Sequence, residues 1–245
     1  MATLKLRHAA LNKNQPIMPE IFDDSNEGVP PIESRLRHNT LRMPSEIQEA
    51  SGIVVYGRRI KSLLFSTDIA LIRNCDADAI FCVYPFTAQR AISAAVIHAA
   101  SAPVFCGTGG GTTQGTRAVY LAMDAENQGA VGVVFNAPFP NRDLRAAARL
   151  LDIPIVVTVT SMKTDVGRRI DNGATILNVA GGYETAAIVE HIRKKYPRVP
   201  IMASGGKTGE TIKNTIRAGA NAIVYTPPST GEMLRDLMER YREEW

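Results

Sequence analysis

Two glycine-rich stretches of the sequence contain the residue types that hold anions in many enzymes. The first, FCGTGGGTTQGTR at residues 105–117, follows a short apolar run and contains Gly109, Gly110 and Gly111, with Arg117 close behind. Glycine has no Cβ, so its backbone N–H groups can approach a ligand closely, and an arginine can bind an anion in a bidentate manner. The stretch predicts a ligand-facing loop, with a tight turn that binds nothing as the alternative.

This first stretch does not match either common nucleotide-binding motif. Gly107 opens a G-x-G-x-x-G pattern, but Thr112 stands at its sixth position. Gly110 and Gly115 have the spacing of a P-loop, but Thr116-Arg117 replaces the Lys-Ser/Thr pair that must follow. We therefore expect any ligand of this loop to be held in another way.

The second glycine-rich stretch lies near the end of the chain, after a later apolar run. It contains Ser204, Gly205, Gly206 and Lys207, and a lysine beside glycines could form an ion pair with an anion. The spacing of Ser229 and Glu232 predicts a capping box, whose helix N-terminus also favours an anion.

Polar side chains that follow other apolar runs are the candidates for catalysis. Asp68 is a candidate general base or Mg²⁺ ligand, and Lys163 could neutralise an enolate or form a Schiff base. Asp165 is a second candidate base, while Asn136 and Asn178 end otherwise apolar runs, where a buried amide needs partners. Four of the five have a structural alternative: a helix N-cap for Asp68, a solvated loop for Lys163 and a structural network for the two asparagines. Further polar residues at the ends of such runs are Ser66, Thr67, Tyr84, Thr158 and Thr160.

Several common sites have no support in the sequence. The four histidines form no HxH or HExxH pattern and lie away from the ends of apolar runs, which disfavours a zinc hydrolase. A G-x-S-x-G elbow is missing, so nothing indicates the nucleophile of an α/β-hydrolase. The three cysteines contain no CxxC pair and predict free thiols in a reducing compartment. No metal site is predicted from these residues.

Charge and hydropathy limit the partners of the chain. A formal net charge of +4 with scattered Lys and Arg makes nucleic acid an unexpected partner. No apolar run approaches the roughly 18 residues of a membrane-spanning helix, and the first residues lack the apolar core of a signal peptide. We therefore expect a cytoplasmic protein with no membrane partner.

The elements that must position these residues can be read from the apolar runs. Eight short runs rich in β-branched residues alternate with helical patterns from residue 61 onward, which is typical of parallel strands buried on both faces. Alternate runs begin with a proline, at Pro103, Pro154 and Pro200. The length of 245 residues is close to the roughly 250 of a (β/α)8 barrel. The pattern predicts an α/β fold, a single (β/α)8 TIM barrel, with a doubly wound open sheet as the alternative.

The chain before the barrel has a different composition. Residues 1–54 are predicted to form an N-terminal arm and a short helix at MPSEIQEA, with Ser45 and Gln48 as a capping box, and residues 55–245 to form the barrel. The segment PIMPEIFDDSNEGVPP shows no core of its own, so it could wrap a neighbouring subunit or close the bottom of its own barrel. A homo-oligomer is therefore expected.

The segment VPIMASGGKTGETIKNTIRAGANAIVYTPPS, residues 199–229, resembles the last two units of phosphate-binding (β/α)8 barrels. This ribulose-phosphate-binding, aldolase-type superfamily includes ribulose-phosphate epimerases and barrels of the tryptophan pathway. The resemblance implies that Gly205 and Gly206 donate backbone N–H groups to a phosphate, with Ser204 beside them and Gly181-Gly182 assisting. The chain departs from the pattern where Thr226-Pro227-Pro228-Ser229 replaces the usual glycine, because two prolines remove two N–H donors.

Three further resemblances widen the range of functions. Over residues 55–235 the chain is similar to bacterial barrel proteins that carry only the generic label hydrolase. More distantly it resembles glycerol-responsive antiterminator barrels, which implies RNA, and flavin-binding barrels, which implies FMN at the phosphate end.

Together these features predict an enzyme that acts on a small anionic metabolite bearing a phosphate or carboxylate. Lyase or isomerase chemistry through an enolate, or hydrolysis, would take place at the C-terminal ends of the barrel strands. The alternatives are a ligand-sensing or RNA-binding regulatory barrel and an FMN-binding oxidoreductase. The sequence requires no cofactor, and Mg²⁺ and FMN both stay open.

Overall fold

The computed structural model of the chain describes residues 40–244, and within them a closed parallel barrel is the central feature. The eight strands run in sequence around the barrel, and the last strand pairs with the first, with Val224 opposite Leu63. The predicted TIM barrel is therefore confirmed, and closure excludes the open sheet. The first 39 residues of the predicted arm, including residues 16–31, lie outside the described residues, so that part stays a prediction.

The barrel strands coincide with the eight predicted apolar runs. Their carboxyl ends all meet at one end of the barrel, which is called the mouth below, because the strands are parallel. The strands are β3 (Ser62–Phe65), β4 (Ala79–Cys82), β5 (Val104–Gly109), β6 (Gly132–Phe135), β7 (Ile155–Val159), β8 (Ile176–Val179), β9 (Ile201–Ser204) and β10 (Ala222–Tyr225).

Helices follow the barrel strands. They are α1 (Ile69–Arg73), α2 (Arg90–Ala99), α3 (Gly115–Asn127), α4 (Asn141–Ala148), α5 (Val166–Asp171), α6 (Thr185–Lys195), α7 (Gly209–Arg217) and α8 (Thr230–Glu244). Short 3-10 helices cover Ser45–Glu49 and Gly182–Glu184. Within residues 40–244 no helix has the length and apolar character needed to cross a membrane.

The segment before the barrel contains a hairpin that the sequence did not predict. Strands β1 (Ile53–Val55) and β2 (Arg58–Ile60) pair antiparallel, with Tyr56 at φ 47° and Gly57 at φ 79° in the turn. Ile53, Val55 and Ile60 pack against the apolar interior of the barrel and so close its end opposite the mouth. The predicted boundary at residue 54 falls inside β1.

The predicted capping box of the first helix is wrong. The 3-10 helix Ser45–Glu49 has Pro44 as its N-cap, and no side chain caps it. Ser45 already belongs to the first turn, and its hydroxyl donates to Glu46 Oε2 at 3.4 Å. This helix packs along α7, where Lys213 Nζ lies 3.1 Å from Glu49 Oε1.

Candidate active site

Three polar side chains from neighbouring strands meet inside the barrel at its mouth. Thr158 Oγ1 donates to Asn136 Oδ1 at 2.8 Å, and Asn178 Nδ2 donates to Thr158 Oγ1 at 3.2 Å. Each of the three lies two positions after a residue of the apolar interior. Side chains two positions apart on a strand point to the same face, so all three face inward. The hydrogen bonds therefore run in one direction, from Asn178 through Thr158 to Asn136.

Some polar atoms of this cluster have no partner among the described residues. Asn178 is only 4% exposed, and its Oδ1 is buried without a hydrogen bond to residues 40–244. Asn136 is half-buried, and neither its Nδ2 nor the hydroxyl of half-buried Ser204 on β9 finds a partner among residues 40–244. Burying polar groups unpaired costs free energy, so a cluster of this kind needs an explanation beyond packing. Phe65 and Val83 complete the inner surface at this level.

Backbone conformation and close packing both favour glycine at the two positions after β9. Gly206 adopts φ +83°, and a Cβ there would lie 2.4 Å from Thr211 Oγ1. A Cβ on Gly205 would lie 2.7 Å from Ile223 Cγ2. The Gly206 N–H forms no hydrogen bond within residues 40–244, and Lys207 is exposed and forms no ion pair with a described residue. The donors that the sequence predicted here are therefore free.

The capping box at the start of α8 is confirmed. The Ser229 N–H donates to Glu232 Oε2 at 2.7 Å, and the Glu232 N–H donates to Ser229 Oγ at 3.2 Å. The hydrogen bonds from Ser229 lower the pKa of Glu232, and the positive charges of Arg235 and Lys207 add to the effect. The carboxylate of Glu232 thus occupies part of the place predicted for an anion. Thr226 is exposed and forms no side-chain hydrogen bond with the described chain.

The glycines after β8 contribute less than the resemblance implies. The Gly181 N–H donates to Thr185 Oγ1 at 3.1 Å, and a Cβ on Gly181 would lie 2.3 Å from Ile188 Cδ1. Gly182 has φ +62° with open space around it. Gly181 is therefore committed to the local turn, and the positive φ of Gly182 favours glycine there.

The glycine-rich loop after β5 is tightly packed at its start. A Cβ on Gly109 would lie 2.7 Å from Phe135 Cδ1 and 2.8 Å from Phe139 Cε2, whose rings stack with centroids 4.2 Å apart. The Gly110 N–H donates to Thr113 O at 2.8 Å, which closes a turn. The tight-turn alternative therefore accounts for Gly109 and Gly110.

The rest of this loop leads into α3 away from the polar cluster. The Gly115 N–H donates at 2.8 Å to Asp143 Oδ2, so a buried carboxylate of the protein already occupies this helix terminus. Gly111 is exposed, with Pro138 Cδ 3.7 Å from the position of a Cβ. Arg117 is exposed and has no ion pair within residues 40–244.

Asp68 is the N-cap of α1. Its Oδ1 accepts the Ala70 N–H at 2.8 Å and the Leu71 N–H at 3.4 Å, and its Oδ2 accepts the Thr230 hydroxyl. The hydrogen bond from Thr230 is the largest cause of a lowered pKa of Asp68, and the backbone N–H groups help to outweigh desolvation. The N-cap alternative is therefore realised in the structure.

The loop after β7 holds two further candidates. Asp165 caps α5 by accepting the Arg168 N–H at 3.1 Å, and its Oδ2 lies 3.3 Å from Arg168 Nε. Lys163 is exposed, and its backbone N–H donates to Ser161 Oγ at 3.2 Å. Neither side chain bonds to the cluster of Asn136, which leaves both on the rim. Within residues 40–244 no three His, Cys, Asp or Glu side chains gather closely enough to hold a metal ion.

The sequence singled out Asn136, Asn178 and Ser204, but it did not single out Thr158 from the other threonines at strand ends. The register of β7 and β8 pairs Thr158 with Asn178, and this pairing makes the threonine central. Its position two residues beyond Val156, a residue of the barrel interior, was the signal available in the sequence.

Comparisons with known proteins show the fold. The enzyme 2,3-dimethylmalate lyase, a member of the PEP mutase/isocitrate lyase superfamily, matches with a TM-score of 0.58 at 12% identity, over 81% of this chain and 81% of that chain. Dihydrodipicolinate synthase of Agrobacterium tumefaciens str. C58 matches with a TM-score of 0.54 at 14% identity, over 74% and 72%. Mandelate oxidase matches with a TM-score of 0.57 at 14% identity, over 71% and 67%.

These similar structures are TIM-barrel enzymes, and at such identities they share the fold with this chain. No protein-family model matches the chain, and no curated protein matches it. The class defined so far is a TIM barrel with a neutral polar cluster at its mouth.

Proposed function

We propose that the chain is an enzyme that binds a small anionic metabolite at the barrel mouth and acts on it by lyase or isomerase chemistry through an enolate. One observation carries the proposal: polar side chains from β6 to β9, at Asn136, Thr158, Asn178 and Ser204, converge in a barrel interior that is otherwise apolar. Asn136 Nδ2 and Ser204 Oγ keep hydrogen-bonding capacity that a ligand would use.

The charge of the ligand is inferred from the free donors around this cluster. The Gly206 N–H and the Lys207 ammonium group lie on the loop that follows Ser204. The Ser204 hydroxyl, the Gly206 N–H and the Lys207 ammonium group form no hydrogen bond or ion pair with residues 40–244. Donors without acceptors favour an anion such as a phosphate or a carboxylate. The resemblance to phosphate-binding barrels supports the same conclusion.

The type of chemistry is inferred from the neutrality of the cluster. Fixed amide and hydroxyl donors stabilise negative charge that develops on an oxygen, as in an enolate. The hydrogen bonds that lower the pKa of Asp68 make it a weak base, so Asp165, Lys163 and Lys207 on the loops are the candidates for proton transfer and charge neutralisation.

The first test is thermal unfolding against inorganic phosphate, sugar phosphates, 2-oxo and 2-hydroxy carboxylates, and FMN. We expect at least one anion to raise the melting temperature of the wild type by several degrees, less in Lys207→Ala and undiminished in Arg198→Ala, which removes a cation from the chain before β9, at the opposite end of the barrel. Both side chains are exposed and without ion pairs in the described chain, so neither variant should unfold the barrel. No shift with any anion would contradict the proposed binding site.

The second test addresses the reaction. An anion that binds is incubated with the protein in D₂O, and exchange of its carbon-bound protons is followed by NMR. Enolate chemistry predicts exchange that depends on the protein.

A ligand-sensing barrel is the second candidate, and one observation favours it. The inward-facing residues at the strand ends carry no charge: they are Phe65, Val83, Gly107, Asn136, Thr158, Asn178, Ser204 and Val224. Binding without proton exchange or turnover would support sensing. Stabilisation by FMN, or a yellow colour of the purified protein, would support the flavin alternative.

A further inference from the structure

We infer that Thr158 and Asn178 are positioning residues that hold Asn136 with its Nδ2 toward the mouth, so that the site accepts an oxygen acceptor such as a carboxylate rather than a hydrogen-bond donor. This inference rests on the proposed function and names the ligand chemistry of the same site. It depends on the direction of the hydrogen bonds between these three side chains.

The direction is set by the single proton of the threonine hydroxyl. Thr158 Oγ1 accepts from Asn178 Nδ2 at 3.2 Å, so its own proton is free to be donated to Asn136 Oδ1 at 2.8 Å. Asn136 therefore accepts the hydrogen bond from Thr158 with its side-chain carbonyl oxygen, Oδ1. Its Nδ2 carries two protons and has no partner among residues 40–244.

The reverse direction would cost more free energy. It would turn Asn136 Nδ2 toward Thr158 and leave the amide nitrogen of Asn178, with two protons, buried without a partner. In the observed direction Asn178 donates its amide nitrogen, and its Oδ1 is the fully buried atom of the cluster that has no partner among residues 40–244. Buried carbonyl oxygens tolerate the lack of a partner better than buried N–H groups do.

The backbone of Asn136 is also fixed. Its N–H donates to Gly109 O at 2.9 Å, and Gly110 packs against its side chain, since a Cβ on Gly110 would lie 3.2 Å from Asn136 Cβ. The hydrogen bond from Thr158 then sets the orientation of the terminal amide. A ligand oxygen at Asn136 would meet a donor, whereas a ligand N–H would find no acceptor on Asn136.

The test compares carboxylates with their primary amides in Thr158→Val and Thr158→Ser. Valine has nearly the shape of threonine without the hydroxyl, and serine keeps the hydroxyl. Calorimetric titration with pyruvate and pyruvamide, L-lactate and lactamide, and L-malate and malamide gives a ratio of dissociation constants for each pair. We expect the wild type and Thr158→Ser to prefer the acid, and Thr158→Val to lose about tenfold of that preference.

The outcomes separate the inference from the proposed function. A merely structural role of Thr158 would weaken both members of a pair equally and leave the ratio unchanged, which would overturn the inference. If the wild-type protein binds phosphorylated compounds but prefers no carboxylate over its amide, the inference is overturned and the proposed function stands. If the wild-type protein binds no anion in either experiment, both the inference and the proposed function are overturned.

Discussion

The carboxylate of Asp68 shows how local bonding decides what a residue can do at the mouth. It accepts two backbone N–H groups at the start of α1 and the hydroxyl of Thr230 at the start of α8. These bonds favour the charged form and lower its pKa. A carboxylate stabilised in this way is well suited to join two helix termini and poorly suited to accept a proton from a substrate.

Removing this cap should lower stability in a pH-dependent manner. We expect Asp68→Ala to lower the free energy of unfolding at pH 7 by about 1 kcal/mol, because the cap of α1 is lost, and Asp68→Asn to lose less, because asparagine also caps helices. The folded pKa lies below the ordinary value of 3.8, so the contribution of the charge is present above about pH 4 and is lost as pH falls through the folded pKa. Urea unfolding between pH 7 and pH 3 measures this.

Two results would argue against the cap as the main role of Asp68. One is a loss in Asp68→Asn as large as that in Asp68→Ala. The other is an Asp68→Asn protein that keeps its stability but loses an established turnover, which would restore the residue as a candidate general base.

At the scale of elements, the loop between β5 and α3 combines packed and open glycines within three positions. Gly109 faces the stacked rings of Phe135 and Phe139 and leaves no room for a side chain. Gly111 has room for a Cβ, whose nearest neighbour would be Pro138 Cδ at 3.7 Å, and its φ is not positive. The same residue type therefore serves packing at one position and leaves the other available to a ligand.

Matched alanine substitutions should separate these roles. Gly109→Ala should lower the free energy of unfolding by about 1–3 kcal/mol, because its methyl group overlaps the aromatic pair. Gly111→Ala should change it by less than about 0.5 kcal/mol. Urea denaturation of both variants provides the comparison, and equal losses would contradict the packing argument. Weaker anion binding by Gly111→Ala at unchanged stability would support the predicted ligand-facing loop.

At the scale of the whole molecule, α8 differs from the other helices. Its first turn is anchored by the Ser229–Glu232 capping box and by Thr230, yet Leu234 is 57% exposed and Met238 42%. These apolar side chains share one stripe of the helix with Tyr241, which is 40% exposed. Met233 on another side of the helix packs against the core, whereas this stripe is left exposed by the described residues. Because most of the stability of a helix in a protein comes from packing its apolar face, we expect the stripe to pack against a further surface.

We expect a second copy of the chain to supply that surface, in line with the homo-oligomer predicted from the sequence. Light scattering should give the wild type a mass of at least twice the 26.6 kDa of one chain. The double variant Leu234→Glu, Met238→Glu should be monomeric, and Glu239→Gln, which leaves the apolar stripe intact, should not. A monomeric wild type, or a double variant of unchanged mass, would contradict this assignment.

The sequence by itself determined the barrel. Strands buried on both faces require continuous apolar runs, and helices between them require a period of 3.6 residues, so the eight units could be read locally. The hairpin β1–β2 escaped prediction because strands of three residues are too short to show a period. Sequence also identified the polar residues that end the strands, since each interrupts an apolar run.

Only the tertiary structure decided what those residues do, because their partners are distant in the chain. Asp68 meets Thr230 across 162 positions, and Thr158 meets Asn136 across 22. Gly109 is required by aromatic rings on another segment rather than by any motif of its own loop. Hydrogen bonds and close contacts depend on the register of neighbouring strands, and that register is fixed when the barrel closes and not by any local pattern.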